Sequence, residues 1–201
     1  MAKEKHPLVG VLALQGAFRE HVAALTKLGA ATREVRQLRD LDGIDAMVIP
    51  GGESTTIGKL LVDLGIMEPL RARLEGGMPV YGSCAGLILL CRHIEGSEQP
   101  RLGVLDATVR RNAFGRQVDS FEADLAIPAL GPEPLPAVFI RAPVILATGP
   151  SVEVLARVEM DGAERAVAVR EGRILATSFH PELTPDTRFH EYFLDICKGA
   201  V

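Results

Sequence analysis

The sequence predicts an α/β fold: a doubly wound, mostly parallel sheet flanked by helices. Short apolar runs alternate with segments of helical period through the first half, the pattern of strand–helix–strand crossovers. The leading run is continuously apolar, as expected of a strand covered on both faces. The second half then changes to short β-rich runs separated by turn residues, so additional strands are expected beyond the parallel core.

Taken in order, Leu8–Leu14 is the first strand and Gln15-Gly16 breaks it. Ala17–Leu28 has helical spacing, with Phe18, Val22, Leu25 and Leu28 on one side and Gly29 as the C-terminal stop. Ala31–Val35 and Ala46–Ile49 read as strands, the second ending at Pro50-Gly51-Gly52. Glu53-Ser54-Thr55 leads into a helix over Thr56–Leu64, with Ser54 or Thr55 as its cap. Met67–Leu74 is a helix, Pro79–Tyr81 a strand and Leu87–Arg92 a helix.

Seven β-rich runs follow: Val104–Arg110, Val118–Ala126, Ala137–Ile140, Val144–Thr148, Val154–Val158, Ala166–Arg170 and Ile174–Phe179. Glu171-Gly172 is a hairpin turn, since glycine permits positive φ. Pro128–Pro136 holds four prolines among nine residues and reads as a surface loop. Asp186–Cys197 is the last helix, with Thr184 or Asp186 as cap.

The length of 201 residues fits one domain over 1–201. Aromatic residues are 4% and tryptophan is absent, so the core is expected to be mostly Val, Leu, Ile and Ala. A net charge of −4 with few stacking side chains argues against a nucleic-acid partner. There is no apolar run of the roughly 18 residues a spanning helix needs, and Met1–Pro7 does not resemble a signal peptide. Cys84, Cys91 and Cys197 are an odd set without metal-like spacing, which places the chain in a reducing compartment, the cytoplasm. No cofactor, metal or membrane is expected.

The chemistry centres on Gly82-Ser83-Cys84-Ala85-Gly86, between a strand and a helix. This is a nucleophile elbow with cysteine in place of serine, and its glycines leave room for a strained turn and close packing. Free N–H groups and the helix dipole favour an anion there, and the N–H of Ala85 is the first candidate to hold an oxyanion. Alone, the motif fits a buried cysteine equally well. A nucleophile also needs a base. His6 lies in the tail, and His21 and His190 fall on helices as expected surface residues. His93, nine residues along a helix from Cys84, would be carried about 13 Å away. His180 follows an apolar strand in His180-Pro181-Glu182. Extended residues at i and i+2 share a side, so Glu182 can orient His180 and leave its other nitrogen for Cys84.

Gly82–Leu90 with His180-Pro181-Glu182 resembles the class I, triad-type glutamine amidotransferases. Pro50–Thr55, Arg111–Gln117, Phe139–Pro143 and Phe179–Thr184 narrow the likeness to the glutaminase subunits of pyridoxal 5′-phosphate synthase, over about Val9 to Leu194. The resemblance implies a flavodoxin-like glutaminase fold that hydrolyses L-glutamine to glutamate and ammonia. Ammonia would pass to a separate synthase subunit, a (β/α)8 barrel, in a large hetero-oligomer that makes vitamin B6. By the same resemblance Cys84 is the nucleophile, His180 the base and Glu182 its orienter. Gly52 and Ala85 form the oxyanion hole. Gly52, Glu53, Ser54, Arg111, Ile140 and Arg141 hold glutamine, and Gln15 faces the synthase. Ser83 and Ala113 depart from the threonine and serine common in these subunits, without touching the triad. Competing readings are another triad amidotransferase, a cysteine hydrolase on the same elbow, or a non-catalytic thiol module. A phosphate loop over Gly52–Lys59 is disfavoured, because the glycine spacing is one residue too long and Leu60 lacks a metal-binding hydroxyl.

Overall fold

A computed structural model describes residues 7–111, 120–160 and 162–201. His6 and positions 112–117 of the Arg111–Gln117 segment, Ala113 among them, lie outside the described residues.

The first half is built from β1 (Leu8–Leu12), α1 (Phe18–Lys27), β2 (Ala31–Val35), β3 (Ala46–Ile49), α2 (Ser54–Asp63), α3 (Met67–Glu75), β4 (Val80–Ser83) and α4 (Ala85–Leu90). The second half adds β5 (Cys91–Ile94), β6 (Leu105–Arg110), β7 (Ser120–Leu125), β8 (Leu135–Ile140), β9 (Val144–Thr148), β10 (Glu153–Met160), β11 (Ala163–Glu171), β12 (Ile174–Thr177) and α5 (Arg188–Lys198).

The main sheet runs β2-β1-β3-β4-β12-β11-β9-β6-β5, with β10 paired to β11. From β2 through β12 every pairing is parallel. From β12 through β11 and β9 to β6 it is antiparallel. The parallel half has the flavodoxin-like order, in which ligands bind beyond the carboxyl ends of the strands, near the switch point between β1 and β3. β7 and β8 form a separate antiparallel pair.

Strand alternation divides the core into two layers. Met47 and Ile49 of β3 pack with Ile57 and Leu61 of α2, Leu70 of α3 and Leu87 of α4. Val9 and Val11 of β1 and Val48 of β3 face the other way, toward Leu25 of α1 and Phe189 and Phe193 of α5. Among the described residues, no helix is long and apolar enough to cross a membrane.

Four local expectations change. The last helix begins at Arg188 with Thr187 in the N-cap position, not at Asp186 with Thr184 or Asp186 as cap. The helix expected over Leu87–Arg92 ends at Leu90, and Cys91–Ile94 is a strand paired with β6. His93 is therefore an exposed strand residue, not the far end of a helix. The cap of α2 is Glu53, whose side chain accepts from the Thr56 N–H, rather than Ser54 or Thr55. Pro128–Pro136 is not all loop: Pro128–Leu130 is a 3-10 turn and Leu135 already belongs to β8.

Candidate active site

Four loops meet at the carboxyl edge of the parallel strands: those after β1, β3, β4 and β12. Cys84 follows β4 with φ 49° and ψ −99°. That left-handed, sparsely populated conformation is the strain of a nucleophile elbow. Its N–H donates to the Thr177 carbonyl of β12 at 2.8 Å, tying the elbow to the strand that leads to His180. The flanking glycines are required. A Cβ on Gly86 would lie 2.1 Å from the Ile49 carbonyl oxygen, and one on Gly82 2.7 Å from the backbone of Gly86. Ala85 opens α4, so its N–H has no carbonyl four residues back.

His180 and Glu182 are buried, 7% exposed each. His180 Nδ1 lies 2.7 Å from Glu182 Oε1. A carboxylate only accepts, so Nδ1 carries the proton and donates. Cys84 and His180 line one cleft. Burial lowers the pKa of His180, but the bonds to Cys84 and Glu182 outweigh it and push it up to about 10. Burial works to raise that of Glu182; the imidazoles of His21 and His180 hold it well below the usual carboxylate range.

The loop after β3 closes over this pair. Gly51 donates its N–H to Ser83 Oγ at 3.1 Å and accepts from the Ala17 N–H at 3.1 Å. Gln15 Oε1 accepts from the Glu53 N–H at 2.7 Å and packs against Gly52, where a Cβ would lie 2.3 Å from it. Gln15 thus fixes the loop from the side opposite Ser83.

Gly52, Glu53, Ser54, Cys84, Ile88, Arg111, Ile140 and Arg141 line a cleft of about 110 Å³. It contains every residue expected to hold glutamine. Arg111 donates to Glu53 Oε1 at 2.9 Å, Thr55 Oγ1 at 2.8 Å and Gln99 Oε1 at 2.6 Å. Burial opposes ionisation of Glu53, but the Thr56 N–H and Arg111 hold its carboxyl below the ordinary range. Arg141 stands at φ 41°. A second cleft of about 290 Å³ shares Cys84 and Arg141 and opens past Gln15, His180 and Leu183. A larger groove of about 570 Å³ lies between β7–β8 and Leu183–Pro185, away from the cysteine. Among the described residues, no cluster of three or more His, Cys, Asp or Glu is placed to hold a metal ion.

Sequence reasoning missed a polar network behind the triad candidates. His21 and His190, expected at the surface, are both fully buried. His21 Nδ1 meets His190 Nε2 at 2.9 Å, and His21 Nε2 meets Ser83 Oγ at 3.0 Å and Glu182 Oε1 at 3.4 Å. The signal was present: His21 lies three residues after Phe18 and four before Leu25, on the apolar stripe of α1. Gln99, which anchors Arg111, gave no comparable signal.

The doubly wound sheet with a cysteine elbow at its carboxyl edge has the fold of the class I glutamine amidotransferases. The chain belongs to the SNO glutamine amidotransferase family, whose model matches residues 11–199. It is 61% identical over 192 residues to a Pelotomaculum thermopropionicum protein named pyridoxal 5′-phosphate synthase subunit PdxT, covering 96% of each chain. A protein of the same name from Carboxydothermus hydrogenoformans is 57% identical, over 95% of this chain and 98% of the relative. A solved structure described as a glutamine amidotransferase superposes with a TM-score of 0.87 at 54% identity, over 94% of this chain and 98% of that one.

Proposed function

We propose that this chain hydrolyses L-glutamine to L-glutamate and ammonia, with Cys84 as nucleophile, His180 as acid–base and Glu182 as its orienter, and supplies the ammonia to a separate pyridoxal 5′-phosphate synthase subunit. The observation that carries the chemistry is the His180–Glu182 hydrogen bond in the cleft that Cys84 also lines. The relatives named as subunits of that synthase support the destination of the ammonia.

Cys84 Sγ attacks the side-chain amide carbon, and the thiol proton resides on His180. The amide oxygen becomes an oxyanion held by the N–H groups of Gly52 and Ala85. His180 then protonates the leaving nitrogen, the C–N bond breaks, ammonia departs and a thioester remains. Water adds to the thioester carbon, its proton goes to His180, and collapse of the second oxyanion breaks the C–S bond. Glutamate leaves and Cys84 regains its proton with His180. Glu182 stays a carboxylate throughout and stabilises the imidazolium.

Glutamine's α-carboxylate and α-ammonium fall to Arg111, Arg141 and Glu53, with Gly52, Ser54 and Ile140 shaping the cleft. Gln15 and the exposed Leu183 flank the second cleft, the side offered to the synthase subunit. By family resemblance that subunit is a (β/α)8 barrel joined in a large hetero-oligomer. Glutamate release by the purified chain, alone and with a synthase subunit, tests the reading. Turnover of glutamine but not of peptides or esters, raised by the partner, is expected; turnover of esters without glutamine overturns it.

A further inference from the structure

We propose that His21 is a positioning residue of the glutaminase: through Ser83 and Glu182 it holds both the triad carboxylate and the Gly51–Gly52 loop in working geometry. The inference rests on the triad reading above. His21 is 0% exposed and comes from α1, which supplies none of the triad candidates. Its ring bridges three segments: His190 on α5, Ser83 at the end of β4, and Glu182 in the turn after β12. Tyr81 stacks edge-on at 5.7 Å, closing the remaining side.

The direction of the hydrogen bonds follows from what each atom can do. Nε2 of His21 faces a carboxylate oxygen and a hydroxyl oxygen. A bare nitrogen there would set a lone pair against Glu182, so Nε2 carries a proton. Nδ1 of a neutral ring then accepts, and His190 Nε2 must donate to it. This leaves His190 Nδ1 as a buried nitrogen without a partner. In this tautomer it is a bare acceptor; the reverse polarity would strand a buried N–H donor, the rarer outcome in folded proteins. Ser83 Oγ is then fully used: it accepts from His21 and from the Gly51 N–H, and its own proton points to Glu182 Oε1 at 3.5 Å.

Two consequences follow for the reaction. Glu182 Oε1 accepts from His180 on one side and lies against His21 and Ser83 on the other, whereas Oε2 is buried without a partner. His21 and Ser83 are therefore what stops the carboxylate from rotating away from the base. Ser83 also holds Gly51, next to the Gly52 N–H assigned to the oxyanion. Loss of the His21 N–H should lower turnover more than it weakens glutamine binding, because Glu53 is also anchored by Gln15 and Thr56, and Arg111 by Thr55 and Gln99.

The test compares His21→Gln with His21→Asn, assayed with the synthase subunit and beside Cys84→Ala. A glutamine side chain can place an amide N–H where Nε2 was; asparagine reaches only as far as Nδ1. His21→Asn is expected to lose roughly tenfold to a hundredfold in kcat, the order of a catalytic group displaced by up to about 1 Å, with KM for glutamine changed far less. His21→Gln is expected to stay within about threefold of the parent, under 1 kcal/mol of barrier. The rate of Cys84 alkylation across pH should shift in the Asn variant and not in the Gln variant. A folded Asn variant with parental kcat, or equal losses in both variants, overturns the proposal. If the Asn variant fails to fold, imidazole nitrogen NMR of the parent decides: a protonated His21 Nε2 supports the proposal and a bare one overturns it. An active Cys84→Ala would remove the triad reading itself; an inactive Cys84→Ala beside a fully active His21→Asn removes only the role of His21.

Discussion

Gly51 and His180 are packed so closely that a Cβ on the glycine would lie 2.2 Å from the imidazole Cε1 and 2.8 Å from Nδ1. The loop after β3 is thus one wall of the slot that holds the His180 ring. Gly51→Ala must displace the ring, the loop or both. A misplacement of about 1 Å can cost on the order of a hundredfold, so kcat should fall by that order. The variant should still fold, because the clash is at the mouth of the site rather than in the core. Circular dichroism and glutamate release check this; parental kcat in a folded variant would show that the slot is looser than the geometry implies.

If the proposed proton transfer operates, removing either partner should end catalysis. Cys84→Ala deletes the proposed nucleophile, and His180→Asn deletes the proposed base. Members of such a unit lose nearly all function singly. Glutamate release should drop by far more than tenfold in each. Retention of above about a tenth of the parental rate, only some 1.4 kcal/mol of barrier, would count against the triad.

The parallel half of the fold was legible because its signals are local. Continuous apolar runs ending in Gln15-Gly16, Pro50-Gly51-Gly52 and Gly82–Gly86 marked three strand ends, and their carboxyl edges are where these loops meet. The early end of α4 was not legible. Leu87–Arg92 reads as one helix-favouring run, and the pairing of Cys91–Ile94 with β6 that ends it is a tertiary event the run does not encode. His21 and His190 were misread through residue type. Imidazoles on helices are commonly solvated, and nothing local says that Ser83 and Glu182 will arrive at His21, or His21 at His190. Glu53 displaced Ser54 as cap because its longer carboxylate reaches both Thr56 and Arg111, a geometry that appears only once the chain has turned.

Stability should be bell-shaped in pH, with a histidine on each limb. The folded-state pKa of His180 is raised to about 10 against an ordinary 6.5. Its contribution is complete below about 6.5 and is lost as pH rises toward 10. His190 is the opposite case: burial first, and the neighbouring His21, lower it to about 3. Between about 6.5 and 3 the unfolded chain binds a proton that the folded chain refuses, so stability falls as pH falls. Each group can contribute up to about 1.4 kcal/mol per pH unit within its window. Denaturant midpoints from pH 4 to 10 should show both limbs. His180→Asn should flatten the alkaline limb and His190→Gln the acid one; an unchanged acid limb in His190→Gln would place the acid-labile group elsewhere.

Arg111 separates binding from chemistry. Its guanidinium is held by Glu53, Thr55 and Gln99 within the cleft that also contains Cys84. It belongs to the end of the cleft that would take glutamine's charged α-groups, which keep their charge as the side-chain amide reacts. Such contacts act equally in ground and transition states. Arg111→Ala should therefore raise KM while kcat holds. One charge-assisted hydrogen bond contributes about 1.5–3 kcal/mol, which corresponds to roughly tenfold to a hundredfold in KM. The pocket should survive the change: Ser54 and Thr55 still donate to Gln99 Oε1, and Glu53 still accepts from Thr56. Steady-state glutaminase assays with the synthase subunit present measure the split. A loss confined to kcat would mean that Arg111 acts on the reacting amide, and that the α-groups are held elsewhere.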